Sequence, residues 1–385
     1  MTQPSPKFSQ LFDFIKNQYP NDSPILLHAP RLRGNESAYL QECVDTEFVS
    51  SVGKFVDQFE LDFARFTGAK HAVAVVNGTQ ALYIGMYLMG VTRGDLVLTQ
   101  SLTFVATANA IAYTGAEPFF LDVDPDTLGL SHQALEEFLE QECEEREGSC
   151  YHKASGKRVS ACVPMHTLGH PCRIDLIQEL CESRGIPLIE DAAESLGSYY
   201  RGKHTGLFGK LGAFSFNGNK VMTTGGGGMI VTDDEALAKR AKHVTTTAKL
   251  PHKYEFDHDE MGFNYRMPNI NAALGVAQLE RLPEFLADKR KLAAEYQSFC
   301  QAQGLEFFTE PEGAQSNYWL NALLLEGPEE RQAFLEESNG QKILCRGLWR
   351  PMHQLSMCQN FLKGDMTQTE RIFARIVNLP SSVRV

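Results

Sequence analysis

Residues 71–90 read HAVAVVNGTQALYIGMYLMG. The segment starts with an apolar run, passes through a glycine turn and continues with apolar residues at helical spacing. The first part predicts a buried strand and the second part a helix. Because parallel sheets are built from such pairs of strand and helix, this segment indicates an α/β fold.

The same alternation extends from about residue 68 to residue 235. Further strand candidates are DLVLTQ, EPFFLDVD, ACVPMH, IPLIED, GAFSFN and GMIVTD. Several are nearly continuous apolar runs, as expected for strands that are buried on both faces. The pattern therefore predicts a mainly parallel central sheet covered by helices.

The chain is long enough for more than one core, since 385 residues exceed the usual size of a single domain. We predict an N-terminal extension over residues 1–25, a large domain over residues 26–284 and a smaller C-terminal α/β lobe over residues 285–385. A long helical pattern, LPEFLADKRKLAAEYQSFCQAQG, leads into the small lobe. The highly charged stretch at residues 131–160 interrupts the alternation and is predicted to be a surface helix and loop.

The charge balance excludes two classes of partner. The formal net charge of -12 argues against general binding to nucleic acid or to anionic membranes, which requires clustered Lys and Arg. No apolar run is long enough to span a bilayer, and the start of the chain lacks the pattern of a signal peptide. Nine scattered cysteines without a C-x-x-C pair indicate free thiols. We therefore expect a cytoplasmic protein.

The turn at Asn77, Gly78 and Thr79 joins a strand to a helix. Such a junction presents backbone N–H groups and the positive end of the helix dipole, which together suit a phosphate group. Thr79 adds a hydroxyl donor. The alternative is a helix cap without any ligand.

Asp191, in IPLIEDAAES, lies at the carboxyl end of a predicted buried strand, where open α/β sheets place their ligands. A carboxylate there is costly unless it meets a cation or a strong donor, and a pyridinium nitrogen is such a donor. Glu194 follows one turn later and faces the same side. The alternative is that Asp191 only caps the following helix.

Lys220 lies in the segment AFSFNGNKVMTTGGGGM, after a strand and before a run of glycines. Its amine can form a Schiff base with an aldehyde cofactor, whereas the alternative is an ordinary exposed lysine. The glycine run at 225–228 has no G-K-[ST] sequence after it and is not a P-loop. His166 and His170 lack further ligands at metal spacing, so we predict no metal site.

Several motifs occur in one order between about residues 25 and 382. They are NGTQAL, SLTFVATANAI, DVDPDTLGLS, EDAAESLGS, AFSFNGNKVMTTGGGGM, GFNYRMPNINAALG and LPSS. Together they resemble the DegT/DnrJ/EryC1/StrS family of sugar aminotransferases. Within it, SSVGKFVDQFE and SFNGNK are most similar to the branch that makes 4-amino sugars in legionaminic acid and bacillosamine pathways.

The resemblance implies a fold type I architecture like that of aspartate aminotransferase, a homodimer with shared active sites, and pyridoxal 5'-phosphate (PLP) as cofactor. It implies that Lys220 forms the Schiff base, that Asp191 pairs with the pyridine nitrogen and that Phe104 stacks on the ring. The other positions carried over are Gly78, Thr79 and Ser215 at the phosphate, Glu194 near the ring hydroxyl, and Asn264 reaching the phosphate from the neighbouring subunit.

Two positions depart from the pattern of many relatives. Glu194 stands where many have Gln, and Gly226 stands where many have Glu in a G-E-G-G run. Relatives that use PLP for dehydration have His at the lysine position. Since this chain has Lys220 there, dehydratase chemistry is disfavoured.

For the substrate, the resemblance implies amino transfer from L-glutamate to a nucleotide-linked keto sugar, namely a UDP-2-acetamido-2,6-dideoxy-4-ketohexose. The product is a 4-amino sugar for surface glycan or nonulosonic acid synthesis. The candidates for contact with the nucleotide sugar are Arg31, Tyr318, Trp349, Arg350 and His353.

Three alternatives remain at this point. One is an aminotransferase for another nucleotide keto sugar, such as GDP-4-keto-6-deoxymannose or a 3-keto sugar. Another is a non-catalytic PLP-binding regulator, although no basic helix-turn-helix segment precedes residue 25. The third is a nucleotide-binding protein without PLP, which is suggested only by the glycine run.

Overall fold

The computed structural model describes residues 6–385, so residues 1–5 of the predicted N-terminal extension lie outside the described residues. The α-helices are, in chain order, α1 (Pro6–Gln18), α2 (Glu36–Asp45), α3 (Lys54–Thr67), α4 (Gly78–Leu88), α5 (Val105–Tyr113), α6 (His132–Glu137), α7 (Ile174–Ser183), α8 (Glu235–Thr245), α9 (Asn269–Gln303), α10 (Pro328–Gly340) and α11 (Thr367–Phe373). The strands are, in chain order, β1 (His71–Val75), β2 (Leu96–Gln100), β3 (Glu117–Leu121), β4 (Cys143–Arg146), β5 (Ser149–His152), β6 (Val159–Cys162), β7 (Ile189–Asp191), β8 (Tyr199–Tyr200), β9 (Lys203–His204), β10 (Leu211–Ser215), β11 (Gly228–Thr232), β12 (Glu306–Phe307), β13 (Ala314–Gln315), β14 (Asn321–Leu324), β15 (Arg346–Gly347) and β16 (Ile376–Leu379).

The central sheet has the strand order β3-β2-β6-β7-β10-β11-β1. Parallel bridges from Cys162 to Leu188 and from Met165 to Asp191 join its two halves between β6 and β7. Strand β11 runs antiparallel to both of its neighbours, and the other neighbouring strands pair in parallel. The predicted mainly parallel sheet is therefore confirmed.

The strands form where the sequence has continuous apolar runs. All residues of β2 (LVLTQ) and of β11 (GMIVT) are buried, because helices cover both faces of the sheet. Asn77 lies between β1 and α4 and is the N-cap of α4, since its Oδ1 accepts a hydrogen bond from the Gln80 N–H at 2.8 Å. Since the strands other than β11 run the same way, their carboxyl ends lie along one edge of the sheet.

The C-terminal lobe contains a second sheet with the order β12-β14-β16-β15, in which neighbouring strands are antiparallel. The apolar side of α1, with Phe12 and Ile15, packs in the same core as Tyr296 of α9 and Val377 of β16. Helix α9 passes residue 284 without a break. The domain boundaries therefore stay a prediction. Helix α1 packs against the C-terminal lobe.

Residues 131–160 contain more structure than we predicted from their charge. After the short helix α6, strands β4 and β5 form an antiparallel hairpin. The strand sequences CEER and SCYH are largely polar, so they give no strong alternating signal. Cys143 and Cys150 of the hairpin are buried in the core that contains Phe138, and this packing stabilises the hairpin.

Helix α9 is 35 residues long but carries charged residues such as Asp288, Lys289 and Arg290. In the described part of the chain, no helix has both the length and the apolar character needed to cross a membrane. All nine cysteines are buried, free thiols. They fill the cores and do not form cross-links.

Candidate active site

A cleft of about 340 Å³ opens at the edge of the central sheet where the parallel strands end. It brings together side chains that are far apart in the sequence. The predicted residues that line it are Gly78, Thr79, Phe104, Asp191, Glu194, Ser215, Lys220 and Trp349. This is the edge at which α/β sheets bind their ligands.

Asp191 is the last residue of β7 and is 3% exposed. Its Oδ2 accepts a hydrogen bond from the Thr107 hydroxyl at 2.8 Å, and its Oδ1 accepts one from the Ala193 N–H at 3.2 Å. Burial raises the pKa of the Asp191 carboxyl, although these two donors and the charge of Lys220 oppose the shift. A cationic N–H donor in the cleft would complete the site, so a protonated pyridine nitrogen fits here.

The turn at Gly78, which we predict to bind a phosphate, requires glycine for steric reasons. A Cβ atom on Gly78 would lie 2.7 Å from the Cβ of Ser215, and one on Gly228 would lie 2.5 Å from the carbonyl carbon of Asn77. This close approach places the Ser215 hydroxyl beside the first turn of α4, where helix N–H groups favour an anion. A Cβ on Gly226 meets nothing within 4 Å, so the absence of Glu at this position has no steric cause.

Lys220 points into the cleft and is not an exposed loop lysine. Its Nζ donates a hydrogen bond to Glu194 Oε1 at 3.1 Å and lies 4.1 Å from the ring centroid of Trp319. Its side chain is 12% exposed. The backbone N–H of Lys220 donates to the Asn217 carbonyl at 3.0 Å, which closes the turn that follows β10. The alternative of a solvated lysine is therefore wrong.

Glu194 is 2% exposed and faces Lys220, as its spacing from Asp191 predicts. Its second oxygen, Oε2, accepts a hydrogen bond from the Leu168 N–H at 2.9 Å. Burial raises the pKa of Glu194 to about 7, while the charge of Lys220 and the Leu168 N–H act in the opposite direction. Its contact with the ring hydroxyl of the cofactor stays a prediction.

Phe104 precedes the first residue of α5 and is 46% exposed at the cleft. Its ring packs edge-to-face against Trp349, with 6.0 Å between the centroids. An aromatic face that is open to the cleft can stack on a planar ring. The position of Phe104 therefore suits its predicted contact.

Comparison with known proteins shows the family of this chain. The sequence profile of the DegT/DnrJ/EryC1/StrS aminotransferase family matches residues 30–385. The chain belongs to this family. A protein from Bacillus subtilis (strain 168) named as a pyridoxal phosphate-dependent aminotransferase, EpsN, is 38% identical over 362 residues, which cover 93% of this chain and 90% of the relative.

Two further proteins that are similar to this chain are informative. The GDP-perosamine synthase of Escherichia coli O157:H7 is 36% identical over 93% of both chains. The crystal structure of the aminotransferase TlmJ from Streptoalloteichus hindustanus is 31% identical, with a TM-score of 0.83 and 93% of each chain covered. The predicted family, the fold type I α/β architecture, the aminotransferase class and PLP as cofactor are thereby confirmed.

Among the five predicted contacts to the nucleotide sugar, only Trp349 lines the cleft of the single chain. Arg31 is engaged by Asp22, at 3.1 Å, and by the Val383 carbonyl, at 2.7 Å. The ring of Tyr318 is buried, and its hydroxyl accepts a hydrogen bond from the Glu310 N–H at 3.1 Å. These intrachain contacts hold both side chains away from the cleft.

His353 and Arg350 also lie outside the cleft lining. The Nδ1 of His353 is 2.7 Å from the Ser101 hydroxyl, and its Nε2 is 3.1 Å from Glu370. Arg350, which follows Trp349 in the sequence, is exposed. The substrate contacts of these residues stay predictions.

Asn264 is exposed and does not line the cleft of its own chain. Its backbone pairs with that of Thr246, so the loop that carries it is anchored on the strand-like segment after α8. An exposed position away from the cleft is what a contact to a neighbouring subunit requires. The assignment of Asn264 to the phosphate of a second subunit stays a prediction.

Two residues of the site were missed in the sequence analysis, namely Trp319, which lines the cleft, and the buried Thr107, which bonds to Asp191 from behind it. We interpreted YWLNALLLE as a strand, although the strand begins only at Asn321, and Trp319 turns its ring onto Lys220. The indole N–H donates to the Asn219 carbonyl at 2.7 Å. A buried tryptophan needs a hydrogen-bond partner for its indole N–H. This requirement is the one sequence signal that could have pointed to Trp319. Thr107 gave no signal beyond its helix.

The histidines considered as metal ligands are buried and have other roles. His166 Nε2 is 3.0 Å from Glu190 Oε2, and neither side chain is exposed. The ring of His170 packs edge-to-face against Phe308 and Tyr318, and burial lowers the pKa of His170 to about 4. The two rings thus do not form a common ligand set.

Proposed function

We propose that this protein transfers an amino group from L-glutamate to a nucleotide-linked 4-keto sugar and gives a 4-amino sugar for surface glycan synthesis. Glutamate becomes 2-oxoglutarate, and the ketone becomes an amine. The observation that carries the proposal is that Lys220 and Asp191 line one cleft, in a chain whose relatives include GDP-perosamine synthases.

The proposed division of labour follows from the positions of the side chains. When bound, PLP accepts the electron pair that is released as the substrate C–H bond breaks. Asp191 holds a proton on the pyridine nitrogen, which keeps the ring electron-poor. Gly78, Thr79 and Ser215 bind the phosphate, and Phe104 covers one face of the ring.

Lys220 has two tasks in this proposal. It attaches the cofactor through Nζ, and once displaced by the amino donor it carries a proton on Nζ between two carbons on one face of the ring. The buried Glu194 carboxylate keeps Nζ on the side of the cleft at which Asp191 lies. A single amine thus acts as base and then as acid.

Two sugars are the leading candidates. The resemblance to the 4-amino sugar branch supports a UDP-2-acetamido-2,6-dideoxy-4-ketohexose. The GDP-perosamine synthases, at 34–37% identity over 93% of this chain, support a GDP-linked 4-keto-6-deoxymannose. Trp349 at the cleft mouth and the exposed Arg350 are the proposed contacts for the nucleotide.

A substrate panel tests the proposal. The purified protein with PLP is incubated with L-glutamate and with UDP- or GDP-linked 4-keto sugars, and with a 3-keto sugar as the comparison. We expect 2-oxoglutarate in excess of one equivalent per chain only with a 4-keto sugar, together with a product whose mass and NMR spectrum place nitrogen at C4. Amination of the 3-keto sugar alone, or no 2-oxoglutarate with any ketone, would contradict the proposal.

We also propose a homodimer with shared active sites in the cytoplasm. Large apolar side chains remain exposed on the single chain, namely Phe48, Val52, Tyr254, Phe256 and Met261. Covering such residues is favourable, and the exposed Asn264 needs a second subunit to reach a phosphate. The free cysteines suit a reducing compartment. Light scattering should give twice the chain mass, and a monomer mass in an active sample would contradict the shared site.

A further inference from the structure

Lys220 is held by two side chains of different character. Its Nζ donates to the Glu194 carboxylate at 3.1 Å and lies over the Trp319 ring at 4.1 Å from the centroid. A carboxylate and an indole face both attract an ammonium group. These two contacts together hold the amine in the cleft.

The buried side-chain amide of Asn317 links the backbones of Glu194 and Trp319. The Nδ2 of Asn317 donates to the backbone carbonyl of Glu194 at 2.8 Å, and its Oδ1 accepts a hydrogen bond from the backbone N–H of Trp319 at 2.7 Å. Asn317 is fully buried. Because Glu194 Oε2 is also bonded to the Leu168 N–H, the carboxylate keeps its orientation.

The Trp319 ring is anchored at further points. Its indole N–H donates to the carbonyl of Asn219, the residue before Lys220, at 2.7 Å. Its own carbonyl accepts a hydrogen bond from the buried Lys289 Nζ at 3.1 Å. The preceding residue, Tyr318, has a φ of 46°, which is unfavourable for an aromatic residue and persists only where the surroundings enforce it. The ring is thus a rigid part of the wall behind Lys220.

We propose that Glu194 and Trp319 form a docking place for the Lys220 ammonium during the part of the cycle in which the lysine is not joined to the cofactor. The inference rests on the proposed function, in which an amino donor displaces Lys220. A released lysine has four flexible side-chain bonds and would otherwise be free to turn towards solvent. Docking would keep Nζ inside the cleft, where the proposed function needs it to carry a proton between two carbons. Glu194 and Trp319 are positioning residues in this scheme.

Trace acylation of the full-length protein without cofactor tests the docking place. Acetic anhydride reacts with free amines and spares docked ammonium groups, and peptide mass spectrometry gives the labelling of each lysine. Lys239, with a side chain that is 75% exposed, is the internal standard. The variants are Glu194→Gln, which preserves size, and Trp319→Leu. The matched control is Trp349→Leu, which removes the other tryptophan of the same cleft but no contact to Lys220.

We expect the labelling of Lys220 relative to Lys239 to rise about tenfold in Glu194→Gln. In Trp319→Leu it should rise about fivefold. Trp349→Leu should leave the ratio as in the wild type. An unchanged ratio in Glu194→Gln overturns docking, and this variant decides alone if Trp319→Leu does not fold. An equal rise in Trp319→Leu and Trp349→Leu also overturns it, because the cause is then a wider cleft.

The failure of this inference differs from failure of the proposed function. Reduction of the wild-type holoenzyme with sodium borohydride should leave a pyridoxyl label on Lys220. A label on Lys220 together with unchanged acylation ratios overturns only the docking place. If Lys220 carries no label, the proposed function fails, and the docking place that rests on it fails as well.

Discussion

Lys220 and Lys289 are both withdrawn from solvent, but their surroundings differ. The Lys220 side chain is 12% exposed and faces an open cleft, with a carboxylate and an indole ring as neighbours. Lys289 is 1% exposed inside α9. Its Nζ contacts neutral groups only, namely His28 Nε2 at 3.0 Å, the Trp319 carbonyl at 3.1 Å and the Ser381 carbonyl at 2.7 Å.

The comparison shows that burial alone does not make a lysine catalytic. Burial lowers the pKa of Lys289 to about 7, a value often associated with reactive amines. Yet Lys289 has no access to the cleft, whereas Lys220 faces the same cleft as Asp191. Covalent chemistry at Lys220 therefore stays our proposal, whereas Lys289 supports the carbonyls of Trp319 and of Ser381 in the LPSS segment.

Removal of the Lys220 amine should have the largest effect. We expect Lys220→Ala to reduce turnover by at least about 10,000-fold, or about 5.5 kcal/mol in transition-state stabilisation, because both proposed tasks of the amine are lost. The measurement is 2-oxoglutarate formation from glutamate and a keto sugar. Lys289→Met is the matched control, and it should retain turnover within about tenfold. Equal losses in the two variants would contradict the assignment.

The next largest effect concerns Asp191, the carboxylate that shares the cleft with Lys220. Asp191→Asn keeps the size of the side chain but removes its charge, so a protonated pyridine nitrogen is no longer stabilised. We expect a loss of about 1,000-fold in kcat/KM, which corresponds to about 4 kcal/mol. A loss of less than tenfold, about 1.4 kcal/mol, would show that Asp191 only caps the segment after β7.

Lys289 should affect stability in a pH-dependent way. Its pKa is about 7 in the folded chain and 10.5 for an ordinary lysine. Between these values the unfolded chain binds a proton that the folded chain has lost, so the contribution of Lys289 to the free energy of unfolding rises with pH. Relative to Lys289→Met, we expect the wild type to gain about 2 kcal/mol between pH 7 and pH 9. Urea unfolding at both pH values measures this, and parallel changes in the two proteins would contradict it.

Thr107 provides the smallest test. Thr107→Val removes the 2.8 Å hydrogen bond to Asp191 Oδ2 and leaves the volume nearly unchanged. A hydrogen bond to a charged group contributes about 1.5 kcal/mol or more, so kcat/KM should fall about tenfold. Thr103→Val, which removes the hydroxyl that pairs with Thr107 at 2.8 Å, is the control with a smaller expected loss. If both variants lose activity equally, the direct contact to Asp191 is not the cause.

Much of the fold could be predicted because its signals are local. The apolar runs from HAVAVVN to GMIVTD coincide with central strands within a few residues, and PEERQAFLEESNG coincides with α10. The cleft residues at strand ends, Gly78, Asp191 and Lys220, follow from the same logic, since parallel strands end on one edge. Their cofactor roles come from the resemblance and not from spacing.

Other features depend on contacts between distant parts of the chain. Trp319 follows Lys220 by almost 100 residues in the sequence. The two side chains meet only because the turn before β14 packs behind the loop that carries Lys220. Lys289, in the sequence ADKRKLAAEY, resembles a solvated helix residue, but carbonyls of Trp319 and Ser381 surround it. The hairpin of β4 and β5 is polar in sequence and is set by packing around Phe138. No periodic pattern encodes such contacts.

The most direct test of the central claim is to find which lysine carries the cofactor. The holoenzyme is reduced with sodium borohydride, digested, and its peptides are mapped by mass spectrometry. We predict one pyridoxyl group on the peptide that contains Lys220, and none on the peptide that contains Lys289. A label on Lys289, or the absence of any label on Lys220 in a yellow and active preparation, would contradict the account.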